Sequence, residues 1–216
     1  MSHSQPEGFF ATPPNGMGPG VLVLHPWWGL NDTIKTVCTR LADTGFSAFA
    51  PDLYHGRLAT TIPEAESLSN ALDAEQAMQD VLAGMDFLSQ HCRGAEQGLA
   101  VIGFSLGAYF ALQLSIADPQ RIRAVVLFYG TGPGDFSTSQ AEYLGHFAEN
   151  DPYESAEYVD SLEETLRTAG RPVTFYRYPG TGHWFFEPDR IEAYNPDAAA
   201  LAWERTLDFL HKFFLS

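Results

Sequence analysis

The sequence predicts a single-domain α/β fold in which helices cover both faces of a mostly parallel β-sheet. Short apolar runs of strand length alternate along the chain with longer segments whose apolar residues recur at helical spacing. Strands separated by such helices pair in parallel through right-handed crossovers, and their sheet is buried on both faces. The 216 residues contain no repeat or linker, so residues 1–216 are predicted to form one domain.

The individual elements follow from these patterns. The run at 21–25 is continuously apolar, as expected for a strand covered on both faces. The predicted strands are, in order, 8–13 at an edge, 21–25, 47–51, 99–104, 124–129, 143–148 and 173–178. The first helix starts at an N-cap formed by Asn31 or Asp32 and stops at Gly45. The later helices are predicted at 66–91, 106–117, 155–169 and 198–214, with a loop at 56–65.

Charge and cysteine content limit the class of protein. The formal net charge of −15 repels phosphate, so neither nucleic acid nor an anionic membrane surface is expected as a partner. No apolar run approaches the roughly 18 residues of a membrane span. The first residues lack the basic stretch and apolar run of a signal peptide. Cys38 and Cys92 have no metal-ligand spacing and are expected to be free thiols in the cytoplasm, with a single structural disulfide as the alternative.

A G-x-S-x-G sequence around Ser105 lies between the predicted strand at 99–104 and the helix that follows it. Chemistry at such a serine requires a tight strand-to-helix turn, which tolerates little side chain two positions to either side. The turn exposes the hydroxyl above the sheet, and the helix N-terminus favours developing negative charge. Ser105 is therefore the predicted nucleophile. The alternative is a serine that only caps the helix.

A serine hydroxyl needs a base, and the base needs an acid that orients it; in this arrangement they follow in the order serine, acid, histidine. His183, in a glycine-containing loop after the last predicted strand, is the expected base, whereas His211 lies in the terminal helix. The acid should follow the strand at 143–148. Asp151 fits best, with Glu149 and Asp160 as alternatives.

The loop after the first parallel strand commonly supplies one of the two oxyanion-hole amides. Because Pro26 has no N–H, Trp27 is the expected donor there, and Leu106, directly after the nucleophile, supplies the other. The expected substrate-binding residues are Trp28, Tyr54, Arg57 and Trp184.

Seven segments spread over the chain resemble the dienelactone hydrolase family. They are GFFATP, HPWWGLND, APDLYHGR, GFSLG, HFAENDPY, GHWFFEPDR and EAYNPDAAALAWERTL. The resemblance implies a single α/β-hydrolase domain without a large lid. It also implies that Asp151 and His183 are the acid and the base, and that the amides of Trp27 and Leu106 form the oxyanion hole.

Three positions depart from the family pattern. Family members that hydrolyse dienelactone use a cysteine nucleophile, where this chain has Ser105, and the family glutamate that contacts the cysteine falls at Pro26. The arginine expected four residues after the histidine aligns with Glu187, which would repel a substrate carboxylate if it faced the pocket. Arg57 is the remaining candidate for an anion contact. We therefore expect a neutral or weakly polar substrate.

Together these observations predict a serine hydrolase that cleaves a carboxylic ester or lactone through an acyl-enzyme, without a metal or an organic cofactor. The expected partner is a small-molecule substrate, and the protein is expected to be a monomer or homodimer. The alternatives are an amidase, thioesterase or peptidase using the same three residues, or a non-catalytic protein of this fold that binds a small molecule. The sequence does not determine whether residues 56–66 form a flap.

Overall fold

The computed structural model describes residues 5–215, which form a seven-stranded sheet with six α-helices. The strands are β1 Gly8–Ala11, β2 Gly20–Leu24, β3 Ser47–Pro51, β4 Leu99–Phe104, β5 Ile122–Phe128, β6 Glu142–Ala148 and β7 Val173–Tyr178. The helices are α1 Asp32–Asp43, α2 Ile62–Asn70, α3 Ala74–His91, α4 Leu106–Ala117, α5 Ala156–Thr168 and α6 Pro196–Leu215. The order across the sheet is β1-β3-β2-β4-β5-β6-β7.

The predicted single-domain, mostly parallel sheet is confirmed. Strand β1 runs antiparallel to β3 at one edge, and every other neighbouring pair is parallel. Helices lie on both faces because alternate residues of a buried strand point in opposite directions. In β2, Leu22 and Leu24 belong to the core that also contains residues of α3, α4 and α5. Val21 and Val23 belong to the core on the other face, with residues of α1 and α6.

The predicted long helix at 66–91 was wrong, and so was the end of the loop predicted at 56–65. The segment forms two helices, and α2 already begins at Ile62. Thr61 and Glu64 make a capping box that starts α2. The Thr61 side chain accepts a hydrogen bond from the Glu64 amide, and the Glu64 side chain accepts one from the Thr61 amide. The Asp73 side chain accepts hydrogen bonds from the amides of Glu75 and Gln76, which starts α3 as a separate helix.

Smaller differences concern element ends. Strand β5 begins at Ile122, two residues earlier than predicted, and α6 begins two residues earlier, at Pro196. The Asn195 side chain accepts a hydrogen bond from the Ala198 amide and caps α6. No helix within residues 5–215 is both long enough and apolar enough to cross a lipid bilayer.

The topology brings several loops to one edge of the sheet. Because parallel strands end at the same side, the residues that follow β2, β4, β5, β6 and β7 share the carboxyl edge. These loops carry Trp27, Ser105, Tyr129, Asp151 and His183, respectively.

Candidate active site

Ser105 occupies a strained turn between β4 and α4. Its backbone has φ 49° and ψ −111°, a conformation that costs a non-glycine residue about 1–3 kcal/mol. The turn leaves the side chain half-buried at the carboxyl edge of the sheet. Two glycines make this geometry possible. A Cβ at Gly103 would lie 2.4 Å from the Gly107 carbonyl oxygen, and one at Gly107 would lie 2.2 Å from the Leu24 carbonyl oxygen.

Three side chains from separate loops form a continuous hydrogen-bonded relay. Ser105 Oγ lies 2.9 Å from His183 Nε2, and His183 Nδ1 lies 2.7 Å from Asp151 Oδ2. Only 3% of the His183 side chain and 2% of the Asp151 side chain are exposed. Because a carboxylate can only accept, Nδ1–H donates to Asp151 and leaves Nε2 free to accept the Ser105 hydroxyl proton. This arrangement can deprotonate Ser105.

Backbone amides hold the Asp151 carboxylate in place. Its Oδ1 accepts from the amides of Tyr153 at 2.9 Å and Glu154 at 3.0 Å, which leaves Oδ2 for the imidazole. The two other candidates for the acid are engaged elsewhere. Glu149 accepts from the Gly180 amide at 2.8 Å, and Asp160 forms an ion pair with Arg177. His211, the other histidine after the last strand, lies in α6 and packs on the ring of Phe46.

The loop that carries His183 is tied to the loop that carries Asp151. The Thr181 carbonyl accepts from the Asn150 amide at 3.0 Å, and the Thr181 hydroxyl donates to the Tyr178 carbonyl at 2.7 Å. Together with the bond between Glu149 and Gly180, these contacts fix the two loops relative to each other. The distance between acid and base is therefore set by backbone contacts as well as by the side chains.

The two amides predicted for an oxyanion hole lie at the same edge. Leu106 is the first residue of α4, and within residues 5–215 neither its N–H nor that of Trp27 has a protein acceptor. The first turn of α4 touches the end of β2, since a Cβ at Gly107 would also lie 2.8 Å from the His25 carbonyl oxygen. The loop that carries Trp27 begins there, directly after β2. A free amide at a helix N-terminus favours negative charge.

Aromatic rings cover the relay. Trp27 stacks on Trp184 with 6.0 Å between ring centroids, and Trp28 lies 5.2 Å from the Trp184 ring. Trp27 and Trp184 are half-buried, whereas Trp28 is 1% exposed and has the Arg190 guanidinium 4.1 Å from its ring centroid. The Tyr153 ring contacts both Trp184 and His183, at 5.2 and 5.0 Å. The position of Tyr153 beside His183 was not predicted, because no local sequence pattern distinguishes this tyrosine from the others.

Tyr54 and Arg57, which were predicted to bind substrate, contact other parts of the chain. Tyr54 is fully buried with its ring 5.1 Å from that of His25. Its position beneath Gly29 explains the burial, because Gly29 allows the two segments to approach closely. Arg57 is exposed, and its Nε donates to the Tyr54 carbonyl at 3.2 Å.

A second missed feature lies behind the imidazole. The buried Tyr129 ring packs on His183 at 4.9 Å, and its hydroxyl donates to Glu187 Oε1 at 2.8 Å. Glu187 is fully buried and therefore does not face a substrate pocket. Its Oε2 has no hydrogen-bond partner among the described residues. Burial raises the pKa of Glu187 to about 8 and raises that of Tyr129 well above its usual value.

The buried histidines outside the relay, His25 and His146, make hydrogen bonds that hold the fold together. His25 accepts from the Leu53 amide through Nε2, and its pKa is lowered by burial. His146 bonds to the hydroxyls of Tyr178 and Thr206, and burial lowers its pKa to about 3. Within residues 5–215 no group of three or more His, Cys, Asp or Glu side chains could hold a metal ion.

Comparison with known proteins agrees with this architecture. The chain is 32% identical over 218 residues to "Protein usf" of Aquifex pyrophilus, which covers 96% of this chain and 93% of the relative. It is 30% identical over 217 residues to the "Putative carboxymethylenebutenolidase" of Aquifex aeolicus (strain VF5), with the same coverage. The crystal structure of the "Putative Dienelactone Hydrolase" from Klebsiella pneumoniae subsp. pneumoniae MGH 78578 superposes with a TM-score of 0.81. The two are 25% identical, over 93% of this chain and 90% of that one.

A mostly parallel sheet with a strained serine between strand and helix, and a histidine after the last strand, defines a hydrolase of the α/β-hydrolase fold. Within that class the family is also shown. The family model "Dienelactone hydrolase family" matches residues 7–214, and the chain belongs to this family.

Proposed function

We propose that this protein hydrolyses a carboxylic ester or lactone through an acyl-enzyme formed on Ser105. One observation carries the proposal: the unbroken relay from Ser105 Oγ through the His183 imidazole to Asp151, with distances of 2.9 and 2.7 Å. These distances lie within the range needed for proton transfer from a nucleophile to its base. The strained turn supports the same role because it holds the hydroxyl above the sheet.

In the first half-reaction His183 Nε2 takes the Ser105 proton as Oγ bonds to the substrate carbonyl carbon. The tetrahedral intermediate collapses, the bond to the alcohol oxygen breaks, and His183 gives its proton to that oxygen. In the second half-reaction His183 takes a proton from water as the water oxygen bonds to the acyl carbon. The bond from that carbon to Ser105 Oγ then breaks, His183 returns its proton to Oγ, and the carboxylic acid leaves. Asp151 stabilises the imidazolium that forms in both halves.

The amides of Trp27 and Leu106 are proposed to bind the oxyanion. Their lack of other acceptors among the described residues supports this role, because a free N–H is available to the charge that develops on the substrate. The N-terminal end of α4 adds its dipole at the same place. Trp27 and Trp184, the half-buried indoles, are proposed to contact the substrate, and Trp28 to support them from behind.

A substrate without a carboxylate fits the surroundings best. Glu187 stands where the sequence comparison placed an arginine of the family, and it is buried behind Tyr129. Arg57 points its Nε at a backbone carbonyl. None of these contacts provides a guanidinium that could bind a substrate carboxylate in a bidentate way.

The free, buried state of Cys38 and Cys92 supports a proposed location in the cytoplasm.

The test is hydrolysis of short p-nitrophenyl esters by Ser105→Ala. We expect kcat/KM to fall by roughly a thousandfold or more, leaving the acceleration supplied by the oxyanion amides. The matched control is Ser137→Ala, at an exposed serine in the loop before β6, which should keep wild-type turnover. A fluorophosphonate probe should label wild type and Ser137→Ala but not Ser105→Ala. Unchanged turnover in Ser105→Ala would refute the proposal.

A further inference from the structure

A groove of about 620 Å³ opens beside the relay, between the loop after β5 and helices α4 and α5. It is large enough for a small molecule. Its floor and walls come from Thr131 and the glycines that follow it, from Tyr109 of α4, and from the segment at 153–165. None of the substrate-binding residues predicted from the sequence lines it.

Residues that line the groove are neighbours of the nucleophile and the base. Tyr109 lies one helical turn after the nucleophile, and its amide donates to the Ser105 carbonyl at 3.4 Å. Gly130 packs directly on the nucleophile, since a Cβ there would lie 3.0 Å from Ser105 Cα. On the other side, Tyr153 lines the groove and its ring contacts the His183 imidazole at 5.0 Å. Tyr153 thus connects the imidazole with the groove.

The lining combines aromatic faces with a single charge. Tyr109, Tyr153 and Tyr158 are 37%, 41% and 63% exposed, and all three line the groove. Among the lining residues only Glu154 carries a charge, and none is Lys or Arg. Aromatic faces together with a carboxylate are the surroundings that recognise an ammonium group.

The Glu154 carboxyl is bound by Thr131 and not by a lysine or arginine side chain of residues 5–215. Its half-buried carboxyl accepts from the Thr131 amide at 3.2 Å and from the Thr131 hydroxyl at 2.6 Å, and it forms no ion pair with Lys or Arg in the described part of the chain. Burial raises its pKa. Burial and then the charges of Glu66 and Asp151 raise the pKa of the neighbouring Tyr153 phenol. A desolvated carboxylate without a partner favours binding of a cation.

We propose that this groove holds the alcohol part of the ester and selects an alcohol that carries a quaternary or protonated amine. The inference rests on the proposed esterase function. The leaving oxygen must accept its proton from His183, so the alcohol lies on the histidine side of the reacting carbon. Tyr153 extends from that imidazole into the groove, and Glu154 follows it in the chain.

The experiment compares two esters of equal shape, acetylcholine and 3,3-dimethylbutyl acetate, in which a neutral carbon replaces the ammonium nitrogen. We expect wild type to prefer the cationic ester in kcat/KM by about tenfold or more. Glu154→Gln, which keeps an acceptor for Thr131, should reduce this ratio to about two or less. Tyr158→Leu, at an exposed position, should reduce it partially. The control Glu96→Gln makes the same charge change at the opposite edge of the sheet and should retain the full ratio.

A binding measurement separates this inference from the function on which it rests. Choline and 3,3-dimethylbutanol are titrated into the Ser105→Ala protein and followed by calorimetry, and choline should bind about tenfold more tightly. If wild type hydrolyses no ester, or if Ser105→Ala hydrolyses esters as fast as wild type, while choline still binds, only the esterase proposal fails. Hydrolysis of p-nitrophenyl acetate with an acetylcholine preference near one, or an undiminished preference in Glu154→Gln, would overturn the inference about the groove.

Discussion

At the scale of single residues, three carboxyl groups near the relay differ in burial and in the hydrogen bonds that they accept. Asp151 contacts the imidazole directly and accepts two backbone amides as well. Glu154 is half-buried and accepts two bonds from Thr131. Glu187 is fully buried behind Tyr129 and accepts one bond. Asp151 accepts three hydrogen bonds, Glu154 two and Glu187 one, and Asp151 is the carboxyl that bonds directly to the imidazole.

The buried Glu187 carboxyl makes a testable contribution to stability. Its pKa is about 8 in the folded protein and near 4.5 in an unfolded chain, so folding takes up a proton between these pH values. The unfolded state binds fewer protons there, and the free energy of unfolding therefore falls as pH rises from about 4.5 to about 8. Glu187→Gln cannot ionise. The free energy of unfolding of Glu187→Gln minus that of wild type should therefore increase by roughly 3–5 kcal/mol as pH rises from about 4.5 to about 8.

The measurement is urea unfolding of both proteins at half-unit steps from pH 5 to pH 9. Glu164→Gln removes an exposed carboxyl from α5 and serves as the control, with a curve expected to run parallel to that of wild type. If the Glu187→Gln curve also ran parallel to wild type, the buried carboxyl would not be holding a proton in the folded protein.

At the scale of elements, the turn from β4 to α4 depends on close backbone approach. Gly103→Ala would place a Cβ 2.4 Å from the Gly107 carbonyl oxygen, and backbone cannot move away as a flexible side chain can. We expect a loss of stability of about 1–3 kcal/mol together with a large fall in kcat, because Ser105 would be displaced. Circular dichroism melting and p-nitrophenyl ester kinetics measure the two effects.

Gly182→Ala is the comparison for this turn. Its Cβ would find one neighbour at 3.5 Å, an ordinary contact, although the residue directly precedes His183. We expect it to retain stability within about 0.5 kcal/mol. Equal effects of the two substitutions would mean that the tight approach of Gly103 is not what shapes the turn.

At the scale of the whole molecule, the net charge of −15 acts on stability. Like charges repel one another in the compact state, and salt screens them over a Debye length of about 10 Å at 0.1 M. Raising NaCl from about 10 mM to about 300 mM should therefore raise Tm. Glu96→Lys reduces the net charge by two units at an exposed site and should make this rise smaller. A Tm that falls with salt would indicate that surface ion pairs outweigh the repulsion.

Much of the fold was predictable because its signals are local. Continuous apolar runs mark strands buried on both faces, and the spacing of apolar residues marks the helices, as in β2 and α1. The division between α2 and α3 was missed because the apolar spacing continues across Asp73, whereas the helix break depends on which amides that side chain accepts.

What the sequence by itself determined is the class of fold, the turn around Ser105 and the order in which serine, acid and histidine follow. Glycine spacing, periodicity and chain order carry these features, and none of them requires a distance between remote residues. Only the tertiary structure decided that Asp151, and not Glu149 or Asp160, meets the imidazole, and that Glu187 and Tyr54 are buried. It also decided that three tyrosines line one groove together with Glu154. Those outcomes depend on how loops far apart in the chain pack at one edge of the sheet.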